Sequence, residues 1–364
     1  MKFTIQKDEF IKGLQLVQPI VVSHTTLPIL YNVLITAEKE KINLFATDLS
    51  VSMKCPLQAA VIKTGSSSFN AKMLFNIVRE LPQNSVEFQI EDKNRAIIQC
   101  GQSSYKLLGI SADEYPALPP FQKAHSFTID QALLKDVLQK TNYAASDDES
   151  RLILNGVFMS VKSQKLIVVA TDGRRLALTE KEVEIPDDQK IDFVIPTKTI
   201  NELIKVLKEE GAVKISLTKN MVSFEMDNCT IISKLIEGVY PNYQQVIPSQ
   251  CDERITIERE SLFGALRRTA IISNERNPSV KIIISKNQLQ IMASNTDVGE
   301  ASEQIPVKYS GKSITMTFNP NYLMDPLKSL SSDDIAIEFT DELSPAVIKS
   351  NIPFMYVLMP LRIS

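Results

Sequence analysis

Histidine and cysteine, the residues that most often carry catalysis and metal binding, are scarce in this chain of 364 residues. The two histidines, His24 and His125, stand in no nucleophile or metal-ligand spacing, so a surface or packing role is expected for each. The four cysteines, at positions 55, 100, 229 and 251, form no CxxC pair. This pattern indicates reduced thiols rather than a disulfide framework or a zinc site, and the sequence predicts no metal site.

Sequence motifs of the common enzyme classes are also missing. The chain has no GxGxxG, no GxxxxGK followed by Ser or Thr, no HExxH and no GxSxG. Its one tight carboxylate cluster, residues 147–149, falls in a predicted loop after a helix, where a solvated acidic turn is expected rather than acid–base catalysis. These absences predict a non-enzyme with no catalytic residues and no cofactor.

Long apolar runs are absent as well. The first nine residues lack the apolar core of a signal peptide, and no run approaches the roughly 20 residues that span a membrane. Tryptophan is absent and glycine is sparse, whereas Val, Ile and Thr are plentiful, which favours sheet. We therefore expect a cytoplasmic protein without membrane segments, rich in strands and, at this length, built of two or three domains.

What the chain does contain is a motif that recurs about every 124 residues. Ala170-Thr171-Asp172-Gly173 follows an apolar run and precedes an alternating one, a pattern typical of strand, tight turn and strand. Related segments are Ala46-Thr47-Asp48-Leu49 upstream and Ala293-Ser294-Asn295-Thr296 downstream. Asp48 and Asp172 are expected to hold their turns through hydrogen bonds from side chain to main chain. The chain is therefore interpreted as a threefold repeat.

The rest of each repeat matches too. The copies open with Phe3-Thr4-Ile5, Phe127-Thr128-Ile129 and Ile255-Thr256-Ile257, each followed by an amphipathic helical pattern. Residues 69–81, 195–207 and 318–330 align without a gap, with apolar residues on one helical face. The predicted fold class is α+β: three similar domains, each with two helices backed by antiparallel sheets. Prolines at the junctions place the domains at 1–121, 122–249 and 250–364.

The charge of the chain is unevenly distributed. The net charge is −3, yet the six predicted helices carry five more basic than acidic residues. These helices are 7–17, 72–81, 130–140, 198–208, 259–270 and 321–330. A charged helix face is commonly only a solvated face, but here the bias is shared by equivalent elements. If the repeats lie side by side, their helices form a basic surface that attracts phosphate backbones without reading sequence.

Five segments of the chain resemble the bacterial DNA polymerase III β subunit family, the replicative sliding clamps. They are Met1-Lys2-Phe3, Thr26-Leu27-Pro28-Ile29-Leu30, the segment from Ala170 to Ala177, Ser233-Lys234-Leu235, and Met359-Pro360-Leu361-Arg362. The resemblance implies the DNA clamp fold, with two three-domain chains joined head to tail into a six-domain ring around duplex DNA. It also implies the partners: a second copy, duplex DNA, the DNA polymerase III α subunit, a clamp loader and other proteins that carry a clamp-binding motif.

Three sets of site residues follow from the charge pattern and the resemblance. The residues expected to face DNA are Lys12, His24, Lys72, Arg79, Lys198, Lys205 and Arg268. The dimer contact is expected at Tyr105, Leu107, Leu108, Ile271 and Ile272, the first three on a segment whose alternation fits either an edge strand or an ordinary core strand. The resemblance implies a partner-peptide pocket made of Leu154, Thr171, Gly173, Arg174, Arg175, Leu176, Pro241, Val246, Asn319, Tyr322, Leu343, Met359, Pro360, Leu361 and Arg362.

The residue types of this pocket suit an apolar peptide groove. Leucines, prolines and a methionine would provide hydrophobic anchors, and the arginines would lie at the rim. Each apolar member taken alone is more often part of a core. The chain departs from the family pattern at His24, where an arginine is typical, at a DNA-associated set replaced by Asp148, Leu152 and Ile153, and at Asn277, where an aromatic often lines the pocket.

Three classes of function remain open at this stage. The first is a DNA clamp that works by topology, the second a scaffold that binds only proteins, and the third an enzyme whose site assembles from ordinary residues. The basic bias of the recurring helices favours the first over the second, because a scaffold has no need of it. The lack of nucleophile motifs argues against the third.

Overall fold

The computed structural model describes residues 1–21, 25–82, 84–91, 94–117, 121, 125–184, 190–274 and 276–362. His24 therefore lies outside the described residues. The α-helices of the described ranges each begin and end within two residues of a predicted helix. They are α1 (Lys7–Val17), α2 (Ala71–Arg79), α3 (Gln131–Gln139), α4 (Thr197–Val206), α5 (Arg259–Thr269) and α6 (Pro320–Ser329).

Strands make up most of the remaining chain, as the abundance of β-branched residues predicts. In chain order they are β1 (Lys2–Gln6), β2 (Asn32–Glu38), β3 (Lys41–Thr47), β4 (Val51–Gln58), β5 (Ala60–Lys63), β6 (Gly65–Asn70), β7 (Ser85–Ile90), β8 (Arg95–Cys100), β9 (Ser103–Ile110), β10 (His125–Asp130), β11 (Gly156–Lys162), β12 (Lys165–Thr171), β13 (Arg175–Glu182), β14 (Ile191–Pro196), β15 (Ala212–Leu217), β16 (Met221–Glu225), β17 (Thr230–Lys234), β18 (Glu253–Glu258), β19 (Val280–Ser285), β20 (Gln288–Asn295), β21 (Gly299–Pro306), β22 (Ile314–Phe318), β23 (Asp334–Phe339), β24 (Ala346–Lys349) and β25 (Phe354–Leu358).

The chain divides into two compact units. The first comprises Met1–Ala132 and Asn201–Leu235, and the second comprises Leu133–Ile200 and Ile236–Ser364. These units follow the sheets rather than the repeats, since β10 and β15 to β17 belong to the first unit while β11 to β14 belong to the second. The domain limits near residues 121 and 249 stay a prediction.

The first unit contains one antiparallel sheet of thirteen strands among the described residues, in the order β10-β15-β16-β17-β4-β3-β2-β6-β9-β8-β7-β1-β5. Aromatic rings form part of its core: the ring of Phe3 stacks on that of Phe88 at 5.0 Å between centroids, and Phe10 meets both edge-on. Phe10 comes from the buried face of α1, together with Leu14 and Val17. The apolar stripe of the helix therefore packs on the sheet, as its spacing predicts.

The second unit contains two antiparallel sheets in its described residues. One has eight strands in the order β14-β11-β12-β13-β25-β24-β23-β18, and the other has four in the order β21-β20-β19-β22. In each repeat two short apolar runs flank a polar connection, a pattern that predicts a hairpin. The hairpins of the second and third repeats are confirmed as the pairs β11–β12 and β19–β20. The pair β2–β3, in the first unit, confirms the hairpin of the first repeat.

The repeats are joined by equivalent strand pairs. In the first unit β4, which follows the recurring turn of the first repeat, pairs antiparallel with β17, the last strand of the second repeat, with Val51 opposite Ser233. In the second unit the corresponding strand β13 pairs antiparallel with β25, the last strand of the third repeat, with Arg175 opposite Leu358. The same joint is thus used twice, at the same position of the repeat.

The predicted role of the turn aspartates is confirmed. The main-chain N–H groups of Ser50 and Val51 donate to Asp48 Oδ1 at 2.8 and 2.7 Å.

Cys55, Cys100 and Cys229 are buried free thiols, and Cys251 is partly exposed. In the described ranges there is no cluster of three or more His, Cys, Asp or Glu side chains suited to a metal ion. None of the helices described is long and apolar enough to cross a membrane.

Candidate functional site

The turn between β12 and β13 is the framework of the predicted pocket. Asp172 Oδ1 accepts hydrogen bonds from the main-chain N–H groups of Arg174 and Arg175 at 2.8 and 3.0 Å, which confirms its turn role. Thr171 Oγ1 donates to the carbonyl of Arg175 at 2.6 Å and accepts from Gly173 N. Gly173 has a φ of +86°, a conformation that side chains with a Cβ rarely adopt. The segment is therefore held rigidly by its own side chains.

Beneath this turn lies a cluster of buried apolar side chains. It unites residues from six separate segments of the second unit: Leu154, Val169, Leu176, Val194, Tyr240 and Val357. The predicted groove residues Leu154 and Leu176 are only 8% and 2% exposed, so they belong to this core. Partly buried side chains pack against it, among them Ile153, Tyr243 and Ile247. An apolar peptide would meet this partly buried layer, with the two leucines forming its support.

Arg175 does not lie at a rim, and this part of the prediction is wrong. Its side chain is 10% exposed, and its guanidinium forms ion pairs with Asp172 at 3.1 Å and with Asp325 at 2.7 Å. It also donates to the carbonyl oxygen of Tyr143 and lies over the ring of Tyr322 at 4.1 Å from the centroid. A buried cation of this size needs several partners, and the fold provides them from three segments.

The electrostatics of this buried group are those of a permanently charged arginine. Burial lowers the pKa of Arg175, but interactions with Tyr356 and Asp325 outweigh this, so its pKa lies above the ordinary value. Burial raises the pKa of Tyr356, whose hydroxyl donates to the carbonyl of Tyr322 at 2.8 Å. The network therefore fixes Tyr322, a predicted pocket residue, through both its ring and its main chain.

The tail after β25 is attached by two main-chain hydrogen bonds. Met359 N donates to the carbonyl of Arg174 at 2.9 Å, and Leu361 N donates to that of Thr317 at 2.7 Å. The Met359 side chain is 41% exposed, and Pro360 and Leu361 are half-buried. The tail thus runs beside the turn that holds Gly173 and leaves Met359 accessible, as a groove-forming residue requires.

The remaining predicted pocket residues divide into two groups. Pro241, Val246, Arg174 and Arg362 are exposed, as expected of a rim. Asn319 accepts a hydrogen bond from Asn321 N at 2.9 Å and caps α6, and Leu343 lies 60% exposed in the turn between β23 and β24. Neither belongs to the apolar cluster, so their place in the pocket stays a prediction.

Several side chains at this site were not predicted. Arg151 donates to the carbonyl of Asp172 at 2.8 Å and to Asp148 Oδ2 at 2.9 Å, which ties the loop before β11 to the pocket turn. Phe158 stacks on Tyr240 with 4.9 Å between centroids, and Tyr243 adjoins it at 6.0 Å. The run of two tyrosines around Pro241 is the sequence signal that could have indicated this aromatic layer.

The residues that depart from the family pattern lie in different environments. Asp148 accepts hydrogen bonds from Ser150 and from Arg151, which lower its pKa. Leu152 is 67% exposed, whereas Ile153 packs against the apolar cluster. Asn277 is exposed, and its main-chain N–H donates to Asn274 Oδ1 at 3.3 Å. Of these residues, Ile153 is the one that packs against the apolar cluster beneath the predicted pocket.

The basic residues proposed to face DNA are exposed but mostly have acidic neighbours. In the first unit Lys12 pairs with Glu9 at 3.1 Å, Arg79 with Glu80 at 3.0 Å and Lys205 with Glu202 at 2.8 Å. In the second unit Arg268 forms two hydrogen bonds to Glu303. Lys72 forms no ion pair with any described residue. Exposed pairs with a single contact contribute little, so Lys12, Arg79 and Lys205 stay available to a stronger anion, whereas the two hydrogen bonds to Glu303 hold Arg268 more firmly.

Strand β9 carries the first half of the predicted dimer contact. It pairs with β8 along Ser103–Leu108 but with β6 only at Gly109 and Ile110, so its first six residues have one open side in the described structure. Leu108 is 77% exposed there. The edge-strand interpretation of this segment is therefore correct. Ile271, 76% exposed, follows α5 in the second unit.

Comparisons with known proteins give the same family along the whole chain. Family models of the DNA polymerase III beta subunit match as N-terminal domain at residues 1–119, as central domain at 128–242 and as C-terminal domain at 244–362. The beta sliding clamp of Chlamydia muridarum is 32% identical over 363 residues, covering 100% of this chain and 99% of its own. That of Bacillus subtilis is 31% identical and covers both chains completely.

Solved structures agree as well. The Bartonella birtlesii DnaN sliding clamp bound to griselimycin superposes with a TM-score of 0.95 at 34% identity, covering 100% of both chains. The Bacillus subtilis DNA polymerase sliding clamp superposes with a TM-score of 0.94 at 31% identity, with the same coverage. The family inferred from the sequence is thereby confirmed: the chain belongs to the DNA polymerase III beta subunit family, the beta sliding clamps.

Proposed function

We propose that two copies of this chain close head to tail into a ring around duplex DNA. As a sliding clamp, the protein is a non-catalytic subunit that gives DNA polymerase its processivity. The ring provides this by topology: an enzyme bound to it stays near the primer end, which raises its effective concentration there. The three repeats would act as the domains 1–121, 122–249 and 250–364. A protein that works on DNA with a DNA polymerase would be found in the cytoplasm.

The observation that carries the ring is the repeated strand joint. The equivalent strands β4 and β13 each pair with the last strand of the following repeat. Among the described strands, the two equivalents that lack such a partner are β21, which is an end strand of its sheet, and the open part of β9. Pairing β21 of one copy with β9 of another completes the series, and two identical joints close the ring.

The equivalence also predicts the register of this joint. Val51 lies opposite Ser233, and Ser52 lies opposite Ile232. Val51 and Ser52 correspond to Gly299 and Glu300 of the third repeat, and Ser233 and Ile232 correspond to Leu107 and Lys106 of the first. The joint is therefore predicted to place Gly299 opposite Leu107, and Glu300 opposite Lys106, of the second copy. A lysine directly across from a glutamate stabilises an antiparallel pair, whereas a one-residue slip would separate the two charges. The register taken from strand equivalence alone thus also brings opposite charges together.

Apolar groups would seal the same joint. Leu108 and Ile271 are more than three-quarters exposed, and Tyr105 is 38% exposed. Ile271 lies in the short helix Ala270–Ile272 beside β21, and Leu108 ends the open part of β9. Large exposed apolar residues clustered at open strand edges mark an interaction surface. Leu107 and Ile272 are partly buried and would complete the contact.

DNA binding and partner binding follow from the two other surfaces. The basic residues Lys12, Lys72, Arg79, Lys198, Lys205 and Arg268 would contact phosphates only, which makes the grip independent of sequence. His24, which lies outside the described residues, is proposed to contact DNA as well. The partly buried layer around Tyr243 and Met359 would take short extended peptides of the DNA polymerase III α subunit, the clamp loader and other partners.

A disulfide across the predicted joint tests the ring. The double variant Lys106→Cys/Glu300→Cys should form a covalent dimer under mild oxidation, because directly opposed residues bring their Cβ atoms to about 4.5–5.5 Å. The pair Lys106→Cys/Ala301→Cys is the matched control, since residue 301 points to the opposite face. The cross-linked ring should stay on nicked circular DNA and slide off once the DNA is cut. Equal cross-linking in both pairs, or release from uncut circles, would contradict the proposal.

A further inference from the structure

A cleft along β18 has no use in the clamp function proposed above. β18 is an end strand of the eight-stranded sheet and pairs only with β23 among the described strands. On its other side lies a cavity of about 820 Å³, between Arg254, Thr256 and Glu258 on one wall and the chain from Pro306 to Lys308 on the other. The cavity is distant in sequence from the Leu154–Leu176 cluster and shares no lining residue with it.

The cleft exposes a row of main-chain hydrogen-bonding groups. Arg259 N donates to the carbonyl of Asp333 at 2.8 Å, which continues the β18–β23 ladder. Because antiparallel ladders alternate, Ile257 and Ile255 bond to β23, whereas Arg254 and Thr256 direct their N–H and C=O groups into the cleft. Glu258, the N-cap of α5, directs only its N–H there, because its carbonyl accepts the first hydrogen bond of the helix. Within the described residues no main-chain hydrogen bond reaches these three residues from across the cleft.

In the first repeat the corresponding place is filled by a strand. Lys7 N donates to the carbonyl of Asn84 at 2.7 Å, so the alternation directs Lys2 and Thr4 away from β7. These two residues pair with β5, with Lys2 opposite Lys63 and Thr4 opposite Ala60. Thr4 and Thr256 occupy the same position of the repeat. The fold therefore already accommodates an added antiparallel strand at this edge.

In the third repeat no described part of the chain fills this place. The segment after β21 corresponds to β5 after β4, but it bonds elsewhere: Asn287 N donates to the carbonyl of Tyr309 at 3.0 Å, and Val307 N donates to that of Asn287 at 3.2 Å. Val307 and Tyr309 are each 6% exposed. Both residues are thus anchored in the core, and the edge of β18 stays open.

The charges of the cleft give an incoming strand its direction. Glu258 and Asp334 lie opposite each other at the end where β18 stops. At the other end the charged residues that line the first cavity are Lys308 and Arg254, whose guanidinium lies 3.9 Å from Glu338. A second cavity of about 340 Å³, lined also by Glu253, continues from there past Gly311. A strand antiparallel to β18 begins at the acidic end and finishes at the basic end. Charge complementarity therefore selects a basic residue near its N-terminus and an acidic one near its C-terminus.

We propose that this cleft binds an extended segment of a partner protein, which adds to β18 as an antiparallel strand with a basic N-terminal end and an acidic C-terminal end. Main-chain hydrogen bonds to Arg254, Thr256 and Glu258 provide the affinity, and the charged ends provide the direction. The site is separate from the pocket at Met359, so a partner can engage both at once. The proposal does not depend on ring closure.

The test uses a fluorescein-labelled peptide, Lys-Ala-Val-Ile-Val-Glu, whose apolar centre copies Ala60-Val61-Ile62 of β5. Anisotropy titration with the full chain should show saturable binding. Thr256→Pro removes one outward N–H from an edge strand and should weaken binding at least about fivefold. Thr256→Val keeps the N–H and is the matched control, expected within about twofold of the unmodified chain. A peptide with its terminal charges exchanged should bind at least about fivefold more weakly.

A second variant keeps the test decisive if Thr256→Pro fails to fold. Arg254→Glu with Lys308→Glu reverses the charge at one end and should remove the preference for the original peptide. The proposal is overturned by absent saturation, or by equal affinity for both peptides. It is also overturned if the chain ending at Leu358 loses binding, which would place the peptide in the Met359 pocket. Protection of the Thr256 amide from hydrogen exchange in the free protein, or self-association abolished by Thr256→Pro, would likewise contradict it.

Discussion

The guanidinium of Arg175 and the carboxylate of Asp325, 150 residues apart in the chain, meet at 2.7 Å. Arg175 begins a strand of the second repeat, and Asp325 lies in the second helix of the third. Their contact lies beside the turn of Gly173, and the guanidinium lies over the ring of Tyr322. The second and third repeats are thus linked, beside the predicted pocket, by a largely buried ion pair.

Replacing Arg175 with alanine should destabilise the protein by about 3 kcal/mol, because it leaves the carboxylates of Asp172 and Asp325 without their partner. Urea unfolding measures the change. Arg174→Ala is the matched control: its side chain is exposed, and a change within about 0.5 kcal/mol is expected. If the two variants unfolded at the same urea concentration, the buried network would have no stabilising role.

Ending the chain at Leu358 should weaken the binding of a DNA polymerase tail peptide at least about tenfold. The truncation removes Met359 and the tail bonds to Arg174 and Thr317, but it leaves the β13–β25 ladder complete. Fluorescence titration gives the peptide affinity, and retention on circular DNA is the control, expected to be unchanged. Unaltered peptide affinity would move the partner site elsewhere.

Charged-to-alanine changes at the six basic residues should make DNA binding less dependent on salt. Each phosphate that a variant no longer neutralises lowers the slope of log affinity against log salt by roughly one. Lys72→Ala should show this fully, whereas Arg268→Ala should show less, since Glu303 already holds the guanidinium through two hydrogen bonds. Titrations at several salt concentrations measure the slope. A strong preference for one DNA sequence would argue against binding through phosphates alone.

Glutamate at both Ile271 and Ile272 should yield folded monomers. The joint proposed at β21 would then bury carboxylates against Leu108 and Tyr105 without a partner cation. The free energy of desolvating these carboxylates exceeds the free energy gained from the apolar contact. Sedimentation at micromolar concentration distinguishes monomer from dimer, and Ile62→Glu is the control because Ile62 is 69% exposed on β5. A monomeric unmodified protein would contradict the ring itself.

The buried thiols should be inert in the native protein. Burial raises the pKa of Cys55 to about 11 and that of Cys229 to about 12. At pH 8 a thiol reagent should therefore modify only Cys251 readily, and all four cysteines in denaturant. In the unfolded chain these thiols ionise near pH 9, so stability should fall as the pH rises from about 9 towards 11. Fast labelling of Cys55 in the native state would contradict its burial.

Much of the fold follows from the sequence alone. The threefold repeat, the six helices, the hairpins and the turn roles of Asp48 and Asp172 depend on residues close together in the chain, and the residue pattern predicts each of them. Helical periodicity, strand alternation and Asx turns are local properties, so a local pattern contains them. The basic bias of the helices is equally local, because it needs only their composition.

The tertiary structure decided which edges and which charges meet. The sequence places two arginines after Asp172-Gly173, but only the fold leaves Arg174 exposed and buries Arg175 between Asp172 and Asp325. The repeats predict a strand at β18 as at β1, yet only the fold shows that β5 covers one edge while residues 307–309 leave the other open. Burial and strand pairing depend on segments far apart in the chain, and their free energy comes from packing that no local pattern records.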